Sequence, residues 1–583
     1  MKVRFYPVAL AALLSCTTAT RTAVPEAAAV LAATPPTAAA PVTATKAMVI
    51  SAHPEASRIG LEILQKGGNA YDAAVAVQFA LAVCFPVAGN IGGGGFLLYR
   101  GADGTEGALD FRETAPAAAT RDMYLDAQGN VIAGRSTAGH LAVGIPGTVA
   151  GMEVVHKKLG KLPWADLVQP ALDLAARGVR LTAKEAAGFN RVRPEFVKYN
   201  ASVAPAYVRA DGETRPWQEG DVVQYPDLAR TLQRIRDKGR AGFYEGETAT
   251  LIVAEMKRGN GLITKQDLQG YQAKWRTPLH GQYRGYDVLT FPPPSSGGVA
   301  LLQMLQMLEP YDLGKAGWHS PQAVHWLTEA ERRVYADRAT YLGDPDFGRV
   351  PVAQLLNPKY NRQRMSTIHA NGRATPSKEV TAGSGLPGYE SDQTTHYNVV
   401  DAQGNAVSCT TTLNGAYGSK VVVAGAGFLL NNEMDDFSSK PGTPNSYGLV
   451  GGVANAITPG KRMLSSMTPA LLTKNGKLQM AIGTPGGSTI ITSVLQGIIN
   501  TLDYGMNAQQ AVAAPRLHHQ WLPDQIDAEE KALLPAAADT LRRRGYTINP
   551  GGKWGRMEEI RVLPDGRLEG GADPRGDDTT RGY

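Results

Sequence analysis

A mixed α/β (α+β) fold is predicted for this chain by three stretches. The run Thr395–Val400, the turn Asp401-Ala402-Gln403-Gly404-Asn405 and the run 406–413 read together as a β-hairpin. The middle of the chain, 147–342, reads mainly as helices, with amphipathic pieces at 167–176, 227–238, 248–257 and 299–308. A short strand at 480–483 then passes through Gly486-Gly487 into a helix. Its apolar residues Ile490, Ile491, Val494, Leu495, Ile498, Ile499 and Leu502 recur at helical spacing, and Gly505 closes it.

Length and composition bound what those elements can build. With 583 residues and 43% hydrophobic content, the chain can bury a large core. Its 59 basic and 53 acidic residues leave a net charge of +6, with no basic run or interleaved aromatic stripe, so nucleic-acid binding is not expected. At the amino terminus Lys2 and Arg4 precede an apolar run over 8–14, too short for a bilayer span but suited to the core of an export signal. Leu13-Leu14-Ser15-Cys16 is a loose match to a bacterial lipoprotein processing site. Two outcomes stay open: lipidation of Cys16, giving a membrane anchor, or simple cleavage nearby. Either way the mature chain is expected to be periplasmic or secreted. Residues 1–16 are assigned to the signal, and the Ala-, Thr- and Pro-rich 17–45 to a tether.

From 57 to 85 two helices are expected, separated by Gly67-Gly68, with Asn69 capping the second. The second is apolar nearly all round and so should be buried. Gly92-Gly93-Gly94-Gly95 follows a helix and precedes the strand Phe96-Leu97-Leu98-Tyr99, the reverse of a dinucleotide fingerprint. Close backbone packing is its expected purpose. Ala108-Leu109-Asp110 reads as a strand delivering Phe111 and Arg112 to its end, where an Arg beside Glu113 suits a carboxylate. Residues 323–338 read as a surface helix, 376–393 as a polar flexible segment, 418–430 as further strand and 441–452 as a surface loop. Cys84 and Cys409 lie in apolar runs and read as buried, with a disulfide between them left open. His518-His519 is adjacent rather than helically spaced and no His-Glu-x-x-His occurs, so neither metal nor cofactor is expected.

Chemistry concentrates at the mouth of the hairpin. Inside a chain Thr394 is an ordinary β-former. If the peptide bond after Gln393 is cut, the freed α-amine lies beside the Thr394 hydroxyl and can serve as its base. An α-amine pKa of roughly 8 leaves that amine partly neutral at physiological pH. The same Oγ would first attack the preceding carbonyl, so the chain would cut itself. Thr395 has the same side chain, and chemistry alone does not choose between them. Gly486 and Gly487 are suited to aim two backbone N–H groups at a developing oxyanion, assisted by the helix that follows. No Gly-Lys-Ser/Thr accompanies them, as a phosphate loop would require.

Seven motifs stand in one order: Asp110-Phe111-Arg112-Glu113-Thr114-Ala115-Pro116, Pro293-Pro294-Ser295-Ser296-Gly297-Gly298, Thr394-Thr395-His396-Tyr397, Thr410-Thr411-Thr412-Leu413-Asn414, Leu430-Asn431-Asn432-Glu433-Met434-Asp435-Asp436-Phe437, Leu464-Ser465-Ser466-Met467 and Gly483-Thr484-Pro485-Gly486-Gly487-Ser488. In this order and spacing, from about residue 47 to the C-terminus, the chain closely resembles the γ-glutamyltranspeptidases, or glutathione hydrolases, of the N-terminal-nucleophile superfamily.

The resemblance implies a four-layer αββα sandwich built by two subunits from one precursor, a large subunit 46–393 and a small catalytic subunit 394–583 that stay associated as a heterodimer. It implies cleavage between Gln393 and Thr394, with Thr394 as nucleophile, Thr412 bonded to its hydroxyl, and Gly486 and Gly487 as oxyanion donors. Arg112, Ser465 and Ser466 match positions that hold a substrate α-carboxylate. Asn414, Glu433 and Asp436 match positions near the α-ammonium, with Asp435 as a competing acid. The loop 441–452 resembles a lid with Tyr447 as its gate. The implied activity takes the γ-glutamyl group of glutathione or a conjugate onto Thr394, releases Cys-Gly, and passes the group to water or to an amino acid or dipeptide acceptor. A related acylase acting on β-lactam side chains or poly-γ-glutamate, and a tethered binding protein that never matures, remain as other readings.

Overall fold

The computed structural model describes residues 1, 32–33, 37, 39–200, 206–208, 215–382, 394–440 and 453–583. The expected export signal with Cys16, most of the tether, Gln393 and the loop with Tyr447 lie outside the described residues.

Strand alternation sets the architecture, because successive side chains point to opposite faces. Tyr397 and Val399 of the strand Thr395–Val400, with Val407 and Cys409 of its partner Ala406–Thr412, pack beneath the helices Pro54–Gln65, Ala70–Cys84, Thr148–Leu159 and Trp164–Arg177. The intervening residues face a second sheet, which is covered by Gly297–Leu308, Pro321–Tyr341 and Thr489–Leu502. The layers run helix, sheet, sheet, helix, the αββα order that the motifs implied.

Each sheet has seven strands, and every neighbouring pair is antiparallel. The first runs Thr579–Gly582, Met48–Ser51, Thr395–Val400, Ala406–Thr412, Gly94–Arg100, Glu106–Asp110, Lys274–Arg276. The second runs Val42–Ala44, Leu568–Ala572, Glu558–Val562, Lys477–Gly483, Ala470–Lys474, Tyr286–Thr290, Leu279–Tyr283. Strands from before and after residue 393 therefore hydrogen-bond to one another within both sheets.

Between the sheets the packing is partly polar. Asn398 Nδ2 donates to the Glu558 carbonyl at 2.9 Å and Ser408 Oγ to the Ile482 carbonyl at 3.2 Å. His396 lies among them, with Nδ1 2.8 Å from Thr410 Oγ1 and Nε2 3.1 Å from Asn398 Oδ1. Complete burial pushes its pKa down to about 3, so the ring is neutral. The ring fills the space that a side chain at Gly483 would need: a Cβ there would meet it at 2.1 Å.

Most local expectations are met. Asn69 caps the helix Ala70–Cys84 in a reciprocal box with Asp72, and every residue of that helix is buried. The glycine run is packed as closely as expected, since Cβ atoms on Gly92 and Gly93 would fall 2.1 Å and 2.0 Å from the carbonyl oxygens of Leu429 and Thr412. Cys84 and Cys409 are both buried and free, which closes the disulfide question.

The segment 147–342 is mainly helical as expected, and it also supplies Lys274–Arg276 at the edge of the first sheet, Leu279–Tyr283 at the edge of the second and Tyr286–Thr290 next to it. Two expectations are corrected. Residues 418–430 form turns with one isolated bridge, Val422 to Leu429, because Lys420, Gly418, Gly425 and Gly427 all adopt positive φ. The helix Pro321–Tyr341 is buried rather than superficial. Its charges are paired inside the protein: Arg333 Nη1 lies 2.6 Å from Glu329 Oε2, and Asp337 lies 3.0 Å from Arg364 Nη2.

Gly483→Ala should therefore force His396 or its strand to shift and destabilise the protein by about 1–3 kcal/mol, the usual cost of overpacking. A melting temperature unchanged from the native protein would show that the inter-sheet layer yields freely.

Candidate active site

Thr394 is positioned by register. Thr395 pairs with Thr411 and His396 with Thr410, so one further step places Thr394 opposite Thr412 on the face toward the second sheet. Thr395 faces the other way and is fully buried. Thr394 instead lines a cavity of about 270 Å³ whose walls include Gly486, Trp554 and Lys553. The partner strand is pinned at its end by Asn90, whose Nδ2 donates to the Thr412 carbonyl at 2.8 Å. The Thr412 hydroxyl accepts the Asn414 N–H at 2.7 Å, and Asn414 Nδ2 donates to the Asn432 carbonyl at 2.9 Å.

Gly486 and Gly487 follow the strand Lys477–Gly483 and adopt φ of 136° and 59°, which favour glycine. Their carbonyls accept from Thr489 and Ile490 at the start of the helix Thr489–Leu502. Their own N–H groups meet no acceptor among the described residues. Two unpaired donors at a helix start, the first of them on the cavity that Thr394 lines, suit negative charge.

Arg112 leaves the strand Glu106–Asp110 and is almost completely buried. Its Nη1 pairs with Glu433 Oε1 and its Nη2 with Asp436 Oδ2. Nη2 also donates to the Leu464 carbonyl at 3.1 Å. Arg112, Glu433 and Asp436 thus engage one another here, and none of them lines the cavity at Thr394. The neighbouring acid, Asp435, accepts from Ser136 Oγ instead.

The sequence reading left out Glu113, although the signal was its place beside Arg112 in the same motif. Glu113 is fully buried, with neither carboxylate oxygen hydrogen-bonded, as are Glu433 Oε2 and Asp436 Oδ1. Burial raises all three acids, against the pull of Arg112, and lifts Glu113 to about 8. Three carboxyls share one guanidinium, so the cluster has spare acceptors suited to a cation.

Ser465 and Ser466 sit where two motifs meet. Ser296 N–H donates to the Ser465 carbonyl at 2.6 Å, and Ser465 N–H to the Pro294 carbonyl at 3.0 Å. Arg338, from the buried helix Pro321–Tyr341, reaches Ser296 Oγ at 2.9 Å and Ser466 Oγ at 3.3 Å. Sequence reasoning missed Arg338 because its charge made that helix look exposed.

The buried acids set a pH dependence. Glu113 rises from 4.5 to about 8, so the folded protein binds more protons than the unfolded chain between those values, and stability falls as pH rises through that window. Glu113→Gln should flatten the slope of unfolding free energy against pH by about one proton, measured between pH 5 and 8. An unaltered slope would mean that the carboxyl is ionised throughout.

Comparison with known proteins gives the family. The Gamma-glutamyltranspeptidase family model matches residues 56–583. The glutathione hydrolase proenzyme of Escherichia coli (strain K12) is 46% identical over 581 residues, covering 99% of this chain and 98% of that protein. Among solved structures, cephalosporin acylase from Bacillus halodurans superposes with a TM-score of 0.80 at 28% identity, covering 97% and 99% of the two chains. Helicobacter pylori gamma-glutamyltranspeptidase matches with a TM-score of 0.55 at 44% identity, covering 60% of this chain and 97% of that one. The match of the family model across nearly the whole chain, joined to this identity, makes the protein a member of the gamma-glutamyltranspeptidase family.

Proposed function

We propose that this chain is an exported proenzyme that cuts itself between Gln393 and Thr394 and then acts as a γ-glutamyltransferase and glutathione hydrolase. The observation that carries the reading is that Thr394 and Gly486 line one cavity, with the N–H groups of Gly486 and of the adjoining Gly487 meeting no acceptor among the described residues. Thr394 Oγ attacks the γ-carbonyl while the Thr394 α-amine takes its proton, and the two glycine N–H groups stabilise the oxyanion. Collapse expels the amine of Cys-Gly or another leaving group. Water, or an amino acid or dipeptide, then takes the γ-glutamyl group from the ester.

The buried cluster supports a free amino-acid head as substrate. Its carboxylate would take over Arg112, with Ser465 and Ser466, while its ammonium would meet Asn414 and the unpaired Asp436 Oδ1 and Glu433 Oε2, oxygens suited to a cation. Thr412 would orient the nucleophile, and Tyr447 in the loop 441–452 would gate the pocket. The large subunit would run from 46 to 393 and the small one from 394 to 583. Their strands interleave in both sheets, which supports a heterodimer that survives the cut. Residues 1–16 would direct export to the periplasm or beyond, with Cys16 as the point of attachment if the chain is lipidated.

The structural match to a cephalosporin acylase favours a second reading, action on β-lactam side chains. The three acids around Arg112 favour the γ-glutamyl substrate over it, since they suit a free ammonium.

Purified protein should show two bands on a denaturing gel, the smaller beginning Thr-Thr-His-Tyr, and should release p-nitroaniline from γ-glutamyl-p-nitroanilide. Thr394→Ala should give a single inactive chain; a cleaved or active variant would remove Thr394 from the mechanism. Asp436→Asn should lower kcat/KM for glutathione by about 10- to 100-fold, the worth of one charge-assisted contact. Turnover within twofold of native would place the ammonium elsewhere.

A further inference from the structure

The N–H groups of Gly486 and Gly487 can serve an oxyanion only while their peptide planes are held, and nothing in glycine itself holds them. Without a Cβ the pair is free to leave its φ values of 136° and 59° for many others. Each N–H, however, shares a planar peptide unit with the carbonyl before it, and in a trans unit, as both of these are, the two groups point in opposite directions. Holding the Pro485 carbonyl therefore aims the Gly486 N–H, and holding the Gly486 carbonyl aims the Gly487 N–H.

Two threonine hydroxyls, one on each side of the glycine pair, hold these carbonyls. Thr484 Oγ1 donates to the Pro485 carbonyl at 2.8 Å, and Thr489 Oγ1 donates to the Gly486 carbonyl at 2.7 Å. Both threonines are buried, and neither lines the cavity at Thr394. Pro485 has a fixed φ, so rotation about its Cα–C bond is the freedom left to the plane that follows, and the Thr484 bond restrains it. Thr484 is oriented in its turn: Oγ1 accepts the Arg556 N–H at 2.9 Å, which leaves its one proton for the Pro485 carbonyl. Gly555 makes room for this contact, since a Cβ there would fall 2.5 Å from Thr484 Oγ1 and 3.0 Å from the Pro485 carbonyl oxygen. At the other plane the Thr489 backbone N–H also reaches the Gly486 carbonyl, at a longer 3.2 Å.

We infer that Thr484 and Thr489 are positioning residues for the oxyanion site, each setting one peptide plane and through it one donor. This rests on the γ-glutamyl-transfer reading and adds to it the groups that aim the two N–H bonds. Full negative charge stands on the γ-carbonyl oxygen only after Thr394 Oγ has added and before the tetrahedral adduct collapses. A donor that loses its aim therefore slows turnover without loosening the hold on the amino-acid head, which falls to the Arg112 cluster.

The test follows hydrolysis of γ-glutamyl-p-nitroanilide, with rates expressed per cleaved small subunit so that slow maturation does not count as slow turnover. Thr484→Val and Thr489→Val keep the shape and lose the hydroxyl, and each should lower kcat about 10- to 100-fold, less than deleting a donor outright. The inhibition constant of norleucine, an amino acid with no γ-carbonyl, should stay within about twofold of native, because it reads the head alone. Thr484→Ser and Thr489→Ser retain the donor and should bring kcat back to within about threefold of native. The two sites are tested independently, so a variant that fails to mature at one leaves the other to decide. A kcat unchanged in either valine variant, a fall matched by weaker norleucine binding, or a serine variant no better than its valine counterpart would overturn the positioning role while leaving γ-glutamyl turnover intact. A processed native enzyme that releases no p-nitroaniline would instead overturn the γ-glutamyl reading itself.

Discussion

Two neighbouring strands in the middle of the first sheet have to stay in register to the residue. Side chains alternate between faces, so a slip of one position would turn Thr394 toward the helices and bring Thr395 to the cavity. The means of holding that register are visible around it. Cross-strand pairs from Thr395 with Thr411 to Val400 with Ala406 define it, the glycine run admits the partner strand at backbone distance, and Asn90 clamps the Thr412 carbonyl. His396 and Asn398 then tie the same strand to the second sheet. The geometry at Thr394 is the end product of packing across three layers.

Buried charge is the second organising element, and it is used in two ways. On the helix Pro321–Tyr341 the charges are matched, and one of them, Arg338, reaches the loop that carries Ser466. Around Arg112 they are unmatched, with three acids for one guanidinium and several carboxylate oxygens lacking donors. A matched buried pair fixes structure, whereas an excess of buried acceptors favours protonation or the arrival of a cation. The contrast sets the Arg112 cluster, with acceptors to spare, apart from the long helix, whose pairs are closed.

Interleaving explains how a chain cut beside its nucleophile would remain one enzyme. Thr395–Val400 pairs on one side with Met48–Ser51, from far upstream, and on the other with Ala406–Thr412. Removing one peptide bond before Thr394 breaks none of these ladders. The polar contacts across the two sheets, such as Asn398 with the Glu558 carbonyl, join strands that lie on the same side of the cut and do not depend on it.

Local chemistry was legible in the sequence wherever a pattern acts over a few residues. The hairpin, the Asn69 cap, the buried helix Ala70–Cys84 and the close packing of the glycine run all follow from alternation, capping and the missing Cβ. The ordered motifs also carried the αββα layering through their resemblance to a family. Other features depended on partners distant in the chain. The Pro321–Tyr341 helix has a polar composition, and only Arg364, Asp524 and the Ser296 loop, brought to it by folding, let it be buried. The strands between 274 and 290 lack a strong pattern of their own and are strands because sheets await them. The mutual pairing of Arg112 with Glu433 and Asp436 was settled by tertiary structure alone, because charge complementarity is a property of what stands nearby in space.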